Sequence, residues 1–453
     1  MEIEINMSSK CRLLGQTGFQ VSPVGFGCYR IDEDHPEHEA ALELALLSGV
    51  NLIDTSTNYT DGSSERLVGK VVERLLQTNK VKRKGLFVVT KVGYVQGENL
   101  ESARERLGSG HPFSEMVQFS PDLWHCISPD FLEDQITRSL ARLKLAQVDC
   151  VLLHNPEYFL KKEGDHAEYY RRIKKAFDYL ETEVGKKRIR FYGISSNTFP
   201  LARDDEEYTS LETILALSQE LPKPSHFAVI QFPFNLFEIG AALEPNNSGK
   251  TVLELAQANH LGVLINRPLN AFHEGAMIRL ADFPSHQGVD TVALLQNTLR
   301  DALLIESRNP NPDRDALRKA SWAHVIKDNL NRITDLDRWR HILAYQIQPS
   351  LTDTKTLWEK EHSQALEKLC AALTAELEAR AAMTSKKIEL ALKMESPLSQ
   401  SALRIYLSFE EINSVLVGMR KITYVQDSIA GACLPPLAPT EKLNTLKNAS
   451  KFF

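Results

Sequence analysis

Four side chains between residues 54 and 154 carry complementary acid–base chemistry. Asp54 ends the apolar run Leu52-Ile53, Tyr59 follows five residues later, Lys91 ends Phe87-Val88-Val89-Thr90, and His154 ends Val151-Leu152-Leu153. A tyrosine hydroxyl, with a pKa of ~10, is a poor acid near neutrality unless its anion is stabilised. A neighbouring ammonium lowers that value, and a buried carboxylate keeps the ammonium charged. Histidine can donate a hydrogen bond to a carbonyl oxygen and orient it. Together Tyr59, Lys91, Asp54 and His154 could protonate an oxyanion as hydride arrives at carbon, or run the reverse. General acid catalysis of this kind supplies roughly 10²–10⁴-fold. Hydride transfer needs an organic cofactor, so a nicotinamide is implied.

Taken singly, each residue has a plainer reading. Asp54 could cap a helix through Thr55, Lys91 could be solvated, Tyr59 half-buried, and His154 a satisfied polar group. What favours chemistry is where the elements put them. Short apolar segments run through Val24–Gly27, Val50–Asp54, Leu86–Lys91, Val148–His154, Arg190–Ser195, Phe227–Gln231, Gly262–Asn266 and Ser414–Gly418. Several are apolar at consecutive positions, as parallel strands buried on both faces are. Between them lie amphipathic stretches such as His38–Ser48, Ser64–Leu76, Ser128–Leu145 and Tyr169–Val184, the third opening with Ser128 as N-cap and Pro129 at the first helical position. Eight strands alternating with helices predict an α/β fold of (β/α)8 TIM-barrel type, whose chemistry gathers at the C-terminal ends of the strands. A dinucleotide fold would need G-x-G-x-x-G after an early strand, and Gly25-Phe26-Gly27 does not continue that way.

Around this barrel, Arg12–Ser22 reads as an N-terminal hairpin. Gly93–Ile127 reads as a long irregular loop over the active site, in which Phe113, Trp124 and His125 either line the pocket or pack it shut. A mostly helical insertion, 270–400, precedes the last strand; Leu366, Leu369, Cys370, Leu373 and Leu377 form an apolar stripe in it, and Asn309–Asp313 a breaker. Because the chain must return to complete the eighth strand, 1–453 is expected to be one barrel with an insertion packed on it.

Composition excludes several functions. The 453 residues carry 53 basic and 59 acidic side chains, a net charge of −6, so no general attraction to nucleic acid or anionic membranes follows. Lys82–Lys84 and Lys186–Arg190 are read as solvated faces. The six cysteines form no C-x-x-C pair, and His35-Pro36-Glu37-His38 is read as a solvated loop without a third or fourth metal ligand, so no metal is expected. The polar N-terminus and the lack of a ~20-residue apolar run suggest a cytoplasmic protein.

Several segments resemble the aldo/keto reductase superfamily, in family order and across nearly the whole chain outside the two long connections. They are Arg12–Gly27, Asp54–Lys70 (DTSTNYTDGSSERLVGK), Thr90–Val92, Leu152–Pro156, Gly193–Asn197, Gln231–Asn235, Arg267–Leu269 and Val415–Arg420. The resemblance implies a barrel binding NAD(P)(H) without a dinucleotide fold, with Tyr59 as proton donor, Lys91 and Asp54 as its electrostatic support, and His154 orienting the carbonyl of a small-molecule carbonyl or alcohol substrate. By position, Ser195 and Gln231 bind the nicotinamide carboxamide; Ser196 stands where asparagine is frequent, with Asn197 as a compensating group. The backbone at Leu269 and the segment Gly418, Met419, Arg420, Tyr424, Asp427 and Ser428 line phosphates and adenosine. Asn266 stands where an aromatic often stacks on the ring, and Arg267 is placed to meet phosphate. Arg420 or Lys421 could bind a 2′-phosphate, favouring NADP with NAD as the alternative. A second reading, similar to the superfamily's channel-associated β subunits, is a cofactor-binding regulatory or scaffold protein whose 270–400 insertion contacts a protein partner.

Overall fold

The computed structural model describes residues 7–221, 223–273, 276–284, 286–308, 321–334, 336–351, 357–393 and 397–449. Eight short, β-branched-rich segments form strands β1 (Val24–Gly27), β2 (Leu52–Asp54), β3 (Phe87–Val92), β4 (Val148–His154), β5 (Ile189–Ser195), β6 (Phe227–Pro233), β7 (Gly262–Asn266) and β8 (Ser414–Val417). Each pairs in parallel with its successor, and β8 pairs with β1 through Val415 opposite Val24, closing a barrel. β2, β3, β4, β6 and β8 are buried at every residue, which is why their sequences are apolar without alternation. At β5, Gly193 sits where an added Cβ would lie 1.7 Å from the Val229 carbonyl oxygen, so only glycine permits this approach to β6.

The antiparallel hairpin of Arg12–Leu13 and Gln20–Val21 closes one end of the barrel. Leu14 and Val21 share a buried cluster with Leu52, Phe87, Cys150, Ala228 and Leu264, near the starts of the strands. That apolar plug leaves the C-terminal ends as the polar opening. Helices Pro36–Leu47, Ser63–Gln77, Pro129–Leu143 and His166–Gly185 follow the expected amphipathic stretches. Ser128 occupies the N-cap of the third, yet its hydroxyl caps no backbone amide; it donates to the side chain of Asp130.

Gly93–Ile127 differs from expectation. It holds a short strand Tyr94–Val95, a helix Gly97–Gly108, and strands Val117–Ser120 and Leu123–His125, together making a three-stranded antiparallel sheet. Phe113 is buried against Phe131 and beneath Arg106, Trp124 is nearly buried under Arg104, and His125 is buried. All three pack this excursion shut.

Two compact units divide the chain: the barrel with residues 399–451, and Asn270–Leu398. The second has a hairpin (Asn270–His273 with Ala276–Arg279) and helices including Thr291–Glu306, Trp322–Asn329 and the 36-residue Leu357–Leu392. The Leu366, Leu369, Cys370, Leu373 and Leu377 stripe is buried in this unit's own core with Trp339, Ile347 and Ile326. The Asn309–Asp313 breaker lies outside the described residues. Among the described residues, no helix is long and apolar enough to cross a membrane, and the six cysteines are free thiols.

Candidate active site at the mouth of the barrel

Parallel pairing brings the strand ends together. Register sets Gly27 beside Asp54, Lys91 beside Leu152, His154 beside Ser195, and Ser195 beside Gln231. Tyr59 comes from a tight turn after β2 in which Thr60 (φ 44°), Asp61 (φ 54°) and Gly62 (φ 78°) are consecutively left-handed. Non-glycine residues enter that region at a cost, and neighbouring loops hold them there. Thr60 Oγ1 donates to Ile31 O (2.6 Å), Asp61 accepts from Glu98 N (3.0 Å), and Asn58 Nδ2 donates to Gln96 Oε1 (3.2 Å). The turn then enters helix Ser63–Gln77, pinned by buried Glu65, which accepts from Thr90 Oγ1 and from Arg142 Nε at 2.6 Å.

Lys91 is fully buried, and all three of its ammonium hydrogens are taken up: by Asp54 Oδ2 (2.7 Å), Thr55 O (3.0 Å) and the Tyr59 hydroxyl oxygen (3.0 Å). Asp54 therefore caps no helix. Its other oxygen, Oδ1, accepts from Gln231 Nε2 at 2.9 Å. Because the phenol oxygen accepts from Lys91, its own hydrogen is directed elsewhere. Burial, with the charge of Asp54 and the nearby Tyr29 and Cys28, raises the Tyr59 pKa well above the ordinary phenol value. The expectation of a lowered value is thus reversed: Lys91 is buried too, and its charge is shared with Asp54. Burial lowers the Lys91 pKa, with Asp54 opposing.

His154 is buried, and burial together with the Lys91 and His125 charges holds its pKa well below the usual range, so the ring is neutral. Its Nδ1 lies 3.1 Å from Ser56 Oγ, which also reaches Asn58 Oδ1 at 2.7 Å. Ser56 has one hydrogen. Directed to Asn58, it makes His154 Nδ1 the donor; directed to His154, it leaves Nε2 carrying the proton. Tyr29 and Tyr94 flank the pair, with ring centroids 5.2 Å from Tyr59 and 4.6 Å from His154 respectively. From behind, His125 Nε2 contacts the His154 carbonyl oxygen at 2.8 Å, its pKa lowered to about 4 by burial.

The cofactor-side candidates divide. Ser195 Oγ (3.1 Å) and Asn266 Nδ2 (3.3 Å) both donate to Gln231 Oε1, so three of them form one cluster joined to Asp54. Asn266 Oδ1 is buried with no hydrogen-bond partner among the described residues, an acceptor that fits the N–H of a carboxamide. Ser196 faces a hydroxyl network with Thr198 and Thr209. Asn197 gives its backbone N–H to Glu157 Oε1 (2.8 Å). Arg267 pairs with Glu238 at 2.8 Å, and Leu269 is half-buried. After β8, Gly418 has open space at its Cβ position, Met419 is buried, and Arg420 is half-buried. Tyr424 is half-buried, Asp427 accepts from Gln400 (2.8 Å), and buried Ser428 donates back to Tyr424 O (2.7 Å).

Sequence reasoning alone misses the parts played by Thr55, Ser56, Tyr94, His125 and Glu157. Ser56 lies inside the Asp54–Lys70 motif, and Glu157 three residues past His154, but their partners come from elsewhere in the chain. Glu157 is buried, and burial pushes its pKa up to about 7. The folded carboxyl therefore holds a proton that the unfolded chain releases near pH ~4.3, so stability falls as pH rises from there to about 7. Glu157→Gln should remove that slope. Chemical denaturation should find the variant gaining on the wild type by about 2–3 kcal/mol between pH ~5 and ~8, and a constant difference would count against it.

A third group does stand beside the histidine pair: Asp32, three residues before His35, joins His35 and His38 with ligand atoms within 4.8 Å of one another. The expectation of no further ligand nearby is corrected. These atoms already serve the loop, however. Asp32 Oδ1 meets His35 Nδ1 (2.6 Å) and accepts from Asp34 N (3.0 Å), and His38 Nδ1 accepts from Asp32 N (3.2 Å).

The aldo/keto reductase family model matches residues 23–303, more than half of the chain. Among curated relatives, 6-dehydroglucose reductase of Novosphingobium aromaticivorans is 28% identical over 196 residues, 41% of this chain and 51% of that protein. The NAD(P)H-dependent D-xylose reductase of Scheffersomyces stipitis is 26% identical over 195 residues, 40% and 50% respectively. The chain spans about half the length of the curated relatives it matches. In fold it is similar to an aldo-keto reductase from Bacillus halodurans in its holo form, with TM-score 0.52 and 17% identity over 97% of this chain and 95% of that one. A closed eight-stranded parallel barrel, its strand-end residues and the extent of the family match lead to one conclusion: the chain belongs to the aldo/keto reductase family.

Proposed function

We propose that the protein is an NAD(P)-dependent oxidoreductase that interconverts a carbonyl and an alcohol on a small aldehyde, ketone or sugar. The observation that carries this reading is the Tyr59 hydroxyl, whose oxygen accepts from a fully buried ammonium while its hydrogen is directed elsewhere. A nicotinamide held near Ser195, Gln231 and Asn266 would supply or accept the hydride. Tyr59 gives its proton to the oxygen of the reacting group, and the Lys91 ammonium stabilises the charge left on the phenol oxygen. Asp54 keeps that ammonium charged in a buried site. A carbonyl oxygen can only accept, so it selects the His154 tautomer whose Nε2 carries the proton, with Ser56 donating to Nδ1.

Initial rates with NADPH and NADH against aldehydes, ketones and aldoses, and with the oxidised cofactors against alcohols and lactols, test this reading. Turnover with none of them would reject it. For the cofactor we favour NADP over NAD, because Arg420 and Lys421 lead into helix Ile422–Cys433 after β8. Arg420→Ala should weaken NADPH about tenfold and NADH about twofold or less, as read by fluorescence titration. Equal losses would shift the preference to NAD. We favour a cytoplasmic setting, with which six free cysteines agree.

The second reading, a nicotinamide-binding regulatory or scaffold protein, draws on the 270–400 insertion, where Tyr345, Met383 and Leu390 are exposed. It predicts cofactor binding without turnover, together with a protein partner lost when that unit is deleted.

A further inference from the structure

Asn266 closes β7 at the barrel mouth with a hydrogen-bonding arrangement that is incomplete. Its Nδ2 donates to Gln231 Oε1, while its buried Oδ1 has no partner among the described residues. A buried acceptor left unmatched carries a desolvation cost that a ligand's donor relieves. Gln231 has little capacity to spare: its Oε1 also accepts from Ser195 Oγ, and one Nε2 hydrogen goes to Asp54. The cluster therefore retains an unmatched buried acceptor, Asn266 Oδ1, together with the second amide hydrogens of Gln231 Nε2 and Asn266 Nδ2 and the acceptor side of the Ser195 hydroxyl.

A primary carboxamide is the complement of that set, offering N–H donors and a carbonyl acceptor on one planar group. A carboxylate could accept from the amide hydrogens, but it brings no N–H for Asn266 Oδ1 and sets a negative charge against that oxygen. Of the two neighbouring residues expected to serve this end of the ring, Ser196 has its hydroxyl in another network, with Thr198 and Thr209, and Asn197 has its backbone N–H committed to Glu157.

We propose that Asn266, with Gln231 beside it, reads the nicotinamide carboxamide by accepting its N–H, so that this chain holds the ring through amide hydrogen bonds. The inference rests on the nicotinamide reading above. It gives Asn266 a specificity role at a position where the resembled family often has an aromatic side chain. It also joins ring recognition to the proton donor, since the same Gln231 amide donates to Asp54, which holds Lys91 beneath Tyr59.

The test is binding to the full chain, measured by calorimetry with three kinds of ligand. These are NADP+ and NAD+, their nicotinic acid counterparts carrying a carboxylate, and the ring-less 2′-phospho-ADP-ribose and ADP-ribose. In Asn266→Ala, the carboxamide dinucleotides should weaken about five- to tenfold, while the ring-less ligands stay within about twofold and report that the variant is folded. The wild type should prefer carboxamide to carboxylate, and Asn266→Ala should lose most of that preference. Asn266→Ser, which keeps a shorter acceptor, should fall between the two. Equal weakening of all three kinds, or an unchanged preference, overturns the assignment. Tight wild-type binding of the ring-less ligands with no gain from the ring also overturns it. If the wild type binds no ligand of any kind, the nicotinamide reading itself fails.

Discussion

Tyr59→Phe is expected to lower kcat by about 10²–10⁴-fold while cofactor affinity changes by no more than a few-fold. The substitution keeps the ring that packs edge-on against Tyr29 and His154 and removes only the oxygen. With that oxygen goes the proton given to the reacting group, and also the acceptor of one Lys91 hydrogen. Steady-state rates alongside fluorescence titration of the cofactor separate the two effects. Turnover above about a tenth of the wild type would show that another group supplies the proton, and the role assigned to Tyr59 would be lost. His154 is not a ready substitute, because its ring is held neutral across the usual working range.

The second large effect is expected at Lys91. Lys91→Met leaves the Asp54 carboxylate buried with Gln231 as its remaining side-chain donor. Removing one partner of a buried pair costs about 3–5 kcal/mol, because the surviving charge is uncompensated. Urea unfolding should show a loss of that order, together with near-complete loss of turnover. Adding Asp54→Asn removes the stranded charge, so the double variant should recover most of the stability and none of the activity. If it stays as unstable as Lys91→Met alone, the pair matters through packing rather than charge. The contrast separates what the ion pair does for the fold from what its positive end does for Tyr59.

Much of this site is legible in the sequence because a barrel converts strand ends into neighbours. Asp54, Lys91 and His154 each follow an apolar run buried on both faces, so their meeting at one opening depends only on assigning those runs to strands. Other features depend on long-range partners. The role of Ser56 depends on His154, 98 residues away, and that of Glu157 on the backbone of Asn197. Ser196 keeps its expected place at the end of β5, but its hydroxyl turns to Thr198 and Thr209, a choice no local pattern announces. In Gly93–Ile127, strands of two to four residues are too short to show a period-two alternation, so a small sheet reads as an irregular loop. The net direction of the Tyr59 pKa shift is likewise hidden, since it depends on how completely Lys91 and Tyr59 are buried together.

The position of the Asn270–Leu398 unit has a consequence for how the barrel is made. β8 is the strand that joins β7 to β1, and it arrives only after that unit has been synthesised. Closing the ring across an unstructured stretch of this length rather than a ten-residue loop would cost roughly 2 kcal/mol of chain entropy. Should the unit, which has its own buried core, fold before β8 seeks its neighbours, it would restrict the chain that must be closed. Its folding is then coupled to the speed of barrel completion. Until completion, β1 and β7 present unpaired edges open to the wrong strand, so damage to a distant helical core would emerge as slow maturation and aggregation.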